Sequence, residues 1–202
     1  GMGGCNLKYP DGLDGEVVNL DLLNDFTVPS GKTLYITHVL LYGQHLMIDG
    51  ERIIWSWSNT MAVNTSGSMA SNGLNSPIIV GSGSLVSTTA AVATDNQING
   101  ILVNQGVEVI NLDLLNDYTV PSGKRLYITN VLLYGQHLEI DGERIIWHWS
   151  NAKANTSSGS QSSNGLNSPI IVGSGSVVST TAIYATDNQI NGYLVDENYF
   201  AG

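Results

Sequence analysis

The sequence predicts an all-β protein made of two tandem β-sandwich modules of the jelly-roll type, and three observations carry that expectation. Residues 19–103 align without a gap onto residues 111–195 at a constant offset of 92, with differences at 16 of 85 positions. Short apolar runs are broken by Gly, Pro, Asn and Ser at close intervals, and no stretch sustains the three-and-four spacing of an amphipathic helix. About eight such runs fall in each copy, with one long polar stretch between them, as a compact sandwich requires. An immunoglobulin-like sandwich is the alternative. A period of this length exceeds the roughly 20–50 residues of a solenoid unit, so each copy should hold its own core. The expected organisation is a flexible leader over 1–16, a first module over 17–103, a linker over 104–109 and a second module over 110–202.

Taken in order, the first-module strands are expected over 17–23, 26–28, 33–42, 45–48, 52–57, 78–80, 85–88 and 97–103. Pro29-Ser30-Gly31 and Gly81-Ser82-Gly83 supply turns between them. Asp49-Gly50 is the strongest local signal, because this dipeptide tolerates the positive φ angles of a two-residue hairpin. That hairpin sets position 47 opposite position 52, which in the second copy places Glu139 across from Arg144. The stretch 58–76 is polar enough to expect a long loop.

The run from Val28 through Pro29-Ser30-Gly31 to Thr37, then Ile48-Asp49-Gly50, Pro77-Ile78-Ile79-Val80 and a closing Asn99-Gly100 with Leu102-Val103, resembles small β-sandwich modules at the ends of bacterial surface and phage fibre proteins. The resemblance spans both repeats and consists of turn and core residues. It implies a structural module and brings no catalytic residue with it.

Composition narrows the partners. Among 202 residues, 17 are acidic and 7 basic, for a formal charge of −10. Nucleic-acid binding draws its affinity from Lys and Arg displacing counterions, so this balance argues against a nucleic-acid partner. No apolar run approaches the roughly 18–20 residues of a spanning helix, and no membrane insertion is expected. Cys5 is the one cysteine, which precludes an intramolecular disulfide. Gly1 ahead of Met2 reads as a residue left by tag removal, and the apolar residues of a lipoprotein site do not precede Cys5.

Catalytic chemistry finds little support. Of the four histidines, His45 and His137 correspond between copies, while Asn130 stands in place of His38 and His148 in place of Ser56. One recurrent histidine per module is too few for a cupin-type metal site, so no metal or other cofactor is expected. The serines and threonines have no assignable base and orienting carboxylate. Gly81-Ser82-Gly83 lacks the Lys and helix of a phosphate loop. Asx residues around Asp21, Asp25, Asp95, Asn96 and Asn99 suit either calcium or ordinary turns, with turns favoured.

Binding candidates are more substantial. Trp55 and Trp57, like Trp147 and Trp149, lie two apart on one strand and share a face. They form either a platform for sugar rings or, by the reading that turns Ile53, Trp55 and Trp57 inward, part of the core. The Asn-rich stretches with Asn72, Asn75, Asn164 and Asn167 would complete a carbohydrate site. Met47, Met61, Val63 and Met69 become Glu139, Lys153, Asn155 and Gln161 in the second copy. Apolar residues gathered at positions that are polar in the other copy mark an expected interface, hence a homo-oligomer, either a trimer or a dimer. The leading expectation is a non-enzymatic structural or adhesive protein, extracellular, on a cell surface or in a virion. A carbohydrate-binding pair of modules comes second and a cupin-like metal enzyme third.

Overall fold

The computed structural model describes residues 15–42, 45–54, 68–89, 96–134, 137–146, 160–162, 166–181 and 188–199, and leaves the side chains of Tyr42, Tyr134, 68–73 and 160–162 undescribed. The described residues form strands, turns and bends, with no helix among them. The first copy contributes β1 (Glu16–Asp21), β2 (Phe26–Thr27), β3 (Lys32–Tyr42), β4 (Leu46–Ile48), β5 (Glu51–Ile54), β6 (Ser68–Val80), β7 (Leu85–Thr88) and β8 (Gln97–Asn104). The second repeats them as β9 (Glu108–Asp113), β10 (Tyr118–Thr119), β11 (Lys124–Tyr134), β12 (Leu138–Ile140), β13 (Glu143–Ile146), β16 (Val177–Thr180) and β17 (Gln189–Asp196). The counterpart of β6 is described as two pieces, β14 (Ser160–Ser162) and β15 (Ile170–Val172).

Each copy is a two-sheet antiparallel sandwich. In the first, one sheet has the order β1-β8-β3-β6 and the other β2-β7-β4-β5. Strand one therefore meets strand eight, two meets seven, three meets six and four meets five, as in one long hairpin rolled up on itself. That is the jelly roll. It sets aside the immunoglobulin alternative, in which the first strand lies beside the second. The second copy has the same order, and among the described residues no strand is exchanged between the copies. Residues 105–107 join β8 to β9, and Val107 is buried.

Local chemistry accounts for the register. Asp49 and Gly50 have φ of 52° and 84°, and Asp141 and Gly142 have 53° and 81°. These positive angles give the hairpin twist that matches the flanking strands. The Asp49 carboxylate also accepts the Leu85 N–H at 2.8 Å, tying the turn to β7, and Asp141 does the same for Val177 at 2.8 Å. The expected cross-strand pairs are present as Met47 with Arg52 and Glu139 with Arg144, the latter with a 3.6 Å ion pair. Being exposed, that ion pair contributes less than about 1 kcal/mol.

One sequence expectation is corrected, and another holds in the first copy only. The stretch 58–76 is not wholly a loop, since β6 begins at Ser68 and pairs with β3 through Tyr42 and Leu41. Backbone pairing along the eleven residues of β3 extends the strand into polar sequence. The inward orientation expected of Ile53 holds in the first copy, where Ile53 and Ile54 both lie in the core, whereas in the second copy Ile146 packs on the core and Ile145 is 48% exposed. Trp55, Trp57, Trp147 and Trp149 themselves lie outside the described residues.

Each sandwich has its own core. Leu34, Ile36, Val39, Leu41, Ile78 and Ile98 are central in the first, and their equivalents Leu126, Ile128, Val131, Leu133 and Ile190 in the second. A third apolar cluster joins the copies: Tyr35, Ile79, Val103 and Val107 pack against Tyr127, Tyr193 and Val195. The β1-β8-β3-β6 sheet thus lays its outer face against the outer face of the β9-β17-β11 sheet.

Candidate functional site: the seam between the copies and an open groove

Outward-facing residues of β8, β3 and β6 alternate with the core positions, as a pleated strand dictates. A bulge re-aims part of β3. Register shifts between Ile36 and His38, opposite Gly100 and Asn99, and the same shift recurs between Ile128 and Asn130. The extra residue, Thr37, donates from Oγ1 to the Asn99 carbonyl at 3.2 Å, and Thr129 donates to the Asn191 carbonyl at 3.3 Å. His38 and Asn130 follow the bulge and face out of the sandwich. A Cβ on Gly100 would lie 2.1 Å from the Tyr35 carbonyl oxygen, and one on Gly192 1.9 Å from that of Tyr127. Only glycine admits this approach.

At the seam, three amide side chains of the second copy engage the first. Asn191 accepts the Ile79 N–H at 2.8 Å and donates to the Ile79 carbonyl at 2.7 Å. Asn130 donates to the Pro77 carbonyl at 2.8 Å, and Gln189 to Glu51 Oε2 at 3.2 Å. Ser76 Oγ donates to the Leu166 carbonyl. Since β6 is the edge strand of its sheet, its outward groups at Pro77 and Ile79 would otherwise be unpaired, and the Asn side chains cover them. Stacked rings of Tyr127 and Tyr193, 5.1 Å apart, lie beside these bonds. Burial, with Tyr127 and Tyr199 nearby, pushes the Tyr193 hydroxyl up to about 12, so it stays protonated at neutral pH.

The seam is not two-fold symmetric. Ile79 is 1% exposed and Ile171 57%, while Pro77 is buried and Pro169 exposed. Gln189 and Asn191 are fully buried, yet Gln97 is exposed and Asn99 half-exposed. Each copy therefore contributes a different part of the same surface. The part of the first copy left uncovered forms an open groove of about 330 Å³, lined by Asn19, Asp21, His38, Leu40, Gln97 and Asn99 among others.

Some of the sequence-predicted residues are described. Met47 is half-buried on the opposite sheet, away from the seam, and Met61 and Val63 lie outside the described residues. Met69 pairs through its backbone with Leu41, and Asn72 with Val39. Asn75 and Asn167 are exposed, and Asn164 lies outside the described residues. At the Asx-rich turns, Asp21 accepts the Leu23 N–H at 2.9 Å and Asp113 the Leu115 N–H at 3.0 Å, as turn formers do. Among the described residues, no three His, Cys, Asp or Glu side chains group as metal ligands, and no helix is long and apolar enough to cross a membrane. His45 and His137 are buried residues just ahead of β4 and β12, whose backbone N–H groups donate to the Thr89 and Thr181 hydroxyls, each at 3.0 Å.

Seam residues escaped a search built on differences between the copies, because most are identical in both. The available signal was the run Ile78-Ile79-Val80 together with Ile101-Leu102-Val103: continuous apolar strands mark burial on both faces. No protein-family model and no curated protein sequence matches this chain.

Proposed function

We propose that this is a non-enzymatic structural or adhesive protein of a surface or appendage, built to self-associate through its duplicated sandwiches as a homo-oligomer. The observation that carries the reading is the seam. Residues mostly identical in the two copies are used to cover a sheet edge and to pack one outer face on another, which is the chemistry of assembly. Burying Ile79 alone contributes about 1.5–3 kcal/mol, and the amide bonds fix the register in which it is buried. Acidic net charge and a polar Ser, Thr and Asn surface suit a protein displayed in water at high local density. Immunogold labelling of cells and particles from the source organism tests this. Label on surface appendages or particles is the expected result; label confined to the cell interior, or turnover of a small-molecule substrate by the purified chain, contradicts it.

A further inference from the structure

We infer that the open groove of the first copy is the docking site for the exposed β13 and β15 edge of the second copy of another chain, using between molecules the edge-covering part of the contact that joins the two copies within one. The inference rests on the self-association in the proposed function and names its surfaces; it does not depend on a surface or appendage role. Its basis is that this edge-covering part has two different halves and each chain leaves one of each exposed, whereas the apolar part, Tyr35, Ile101 and Val103 with Tyr127, Tyr193 and Val195, is already packed within the chain.

The first half is a ridge on the β5 and β6 edge of the first copy: Glu51, Ser76, Pro77 and Ile79. All four recur unchanged in the second copy, as Glu143, Ser168, Pro169 and Ile171. There they are exposed, with Ile171 at 57% where Ile79 is at 1%. Among the described residues no hydrogen bond reaches the outward edge of β15 at Ile171, so the second copy presents an apolar, unpaired strand edge.

The other half is the receiving face of the second copy, formed around Asn130, Leu132, Gln189 and Asn191. Its counterpart in the first copy is His38, Leu40, Gln97 and Asn99, and these line the open groove. The backbone around the bulge is already the same there, while the Asn99 amide is held within its own copy, donating to Asn19 Oδ1 at 2.6 Å and accepting from Thr37 Oγ1 at 3.3 Å, bonds it exchanges for the incoming edge. Thr37 holds the Asn99 carbonyl as Thr129 holds that of Asn191. Asn99 Nδ2 lies 3.4 Å from the Val18 carbonyl, just as Asn191 Nδ2 lies 3.4 Å from that of Ile110. His38 Nδ1 contacts Thr37 Oγ1 at 3.1 Å, where Asn130 contacts Thr129 Oγ1 at 3.2 Å. Val17, 67% exposed beside the groove, matches Val109, which packs into the seam. A ridge and a groove that fit inside one chain, each left open at its other occurrence, complement each other between chains. Such a contact is heterologous, and it closes into a ring when its rotation allows.

Sedimentation velocity on the full chain tests the proposal with variants at exposed positions. Ile171→Lys disables the ridge and keeps the groove; Val17→Asp with Gln97→Glu disables the groove and keeps the ridge. Wild type should assemble with rising concentration, and each variant alone should remain a single chain, with its dissociation constant raised at least ~100-fold. An equimolar mixture of the two variants should regain a two-chain species and stop there, because one working ridge meets one working groove. His38→Asn restores the receiving residue of the second copy and should tighten assembly by roughly tenfold. Wild type that stays a single chain throughout, a variant that assembles like wild type, a mixture that stays single, or a glycan held in the groove of a non-assembling chain overturns the proposal. Unchanged circular dichroism and melting of the variants establish that they are folded.

Discussion

Strands β8 and β17 carry nearly the same sequence, Gln-Ile-Asn-Gly-Ile-Leu-Val-Asn and Gln-Ile-Asn-Gly-Tyr-Leu-Val-Asp, and are buried differently. In β8 burial largely alternates, as for a strand with one face on a core. In β17 seven consecutive residues are buried. The strand sequence determines which side chains face the core, whereas burial of the other face depends on what covers it. Here the cover is the first copy. Equal sequences in unequal surroundings make the chain its own control, since the same substitution in the two copies should differ in cost only where the surroundings differ.

The largest effect should be common to both copies. Gly100→Ala and Gly192→Ala each drive a Cβ into a backbone carbonyl at the bulge, and each should cost at least ~3 kcal/mol. Unequal losses in chemical denaturation would mean that the bulge is not the same in the two sandwiches.

At the seam the costs should separate. Ile79→Ala opens a cavity among Tyr35, Tyr127 and Val195 and should cost ~3 kcal/mol, while Ile171→Ala in the dilute single chain should stay within ~0.5 kcal/mol. Asn191→Ala strands the buried N–H and C=O of Ile79 and should cost ~2 kcal/mol; Asn99→Ala, which breaks bonds only within its own half-exposed neighbourhood, should cost ~1 kcal/mol. Equal costs within either pair would point to a symmetric seam.

The smallest difference is electrostatic. Burial, and secondarily the Arg52 charge, lowers the His45 pKa from 6.5 to about 4. A ring that resists protonation when folded contributes stability that is present above pH 6.5 and is lost as pH falls from there toward 4. His137 is lowered by burial and by Arg144, but Glu139, standing where the first copy has Met47, pulls it back up. Met47→Glu should therefore raise the His45 pKa, as followed by the ring protons in an NMR titration. A fall, or no change, would remove Glu139 as a source of difference between the two histidines.

Much of the fold was legible in the sequence, and the part that was not has a physical reason. The duplication, the Asp-Gly hairpins and the pairing of Glu139 with Arg144 follow from local chemistry and appear as expected. The extension of β6 back to Ser68 was hidden because backbone pairing, not side-chain pattern, holds that segment to β3. The seam was hidden because Asn191, Gln189, Pro77 and Ile79 look the same as their exposed counterparts in the other copy. Differences such as Met47 against Glu139 led to the outer surface of the other sheet. Two differences did lie at the seam, Ile101 against Tyr193, whose ring stacks on Tyr127, and His38 against Asn130, whose amide is bonded to Pro77.

Amide hydrogen exchange at Ile79 and Ile171, measured in dilute wild-type protein, tests the central claim most directly. The Ile79 N–H is bonded to Asn191 Oδ1 inside the seam and should exchange only when the seam opens, so it should be far slower than that of Ile171 at the uncovered edge. Raising the concentration should slow Ile171 and leave Ile79 unchanged. Equal rates for the two amides at high dilution would contradict a seam that covers one edge and leaves the other open.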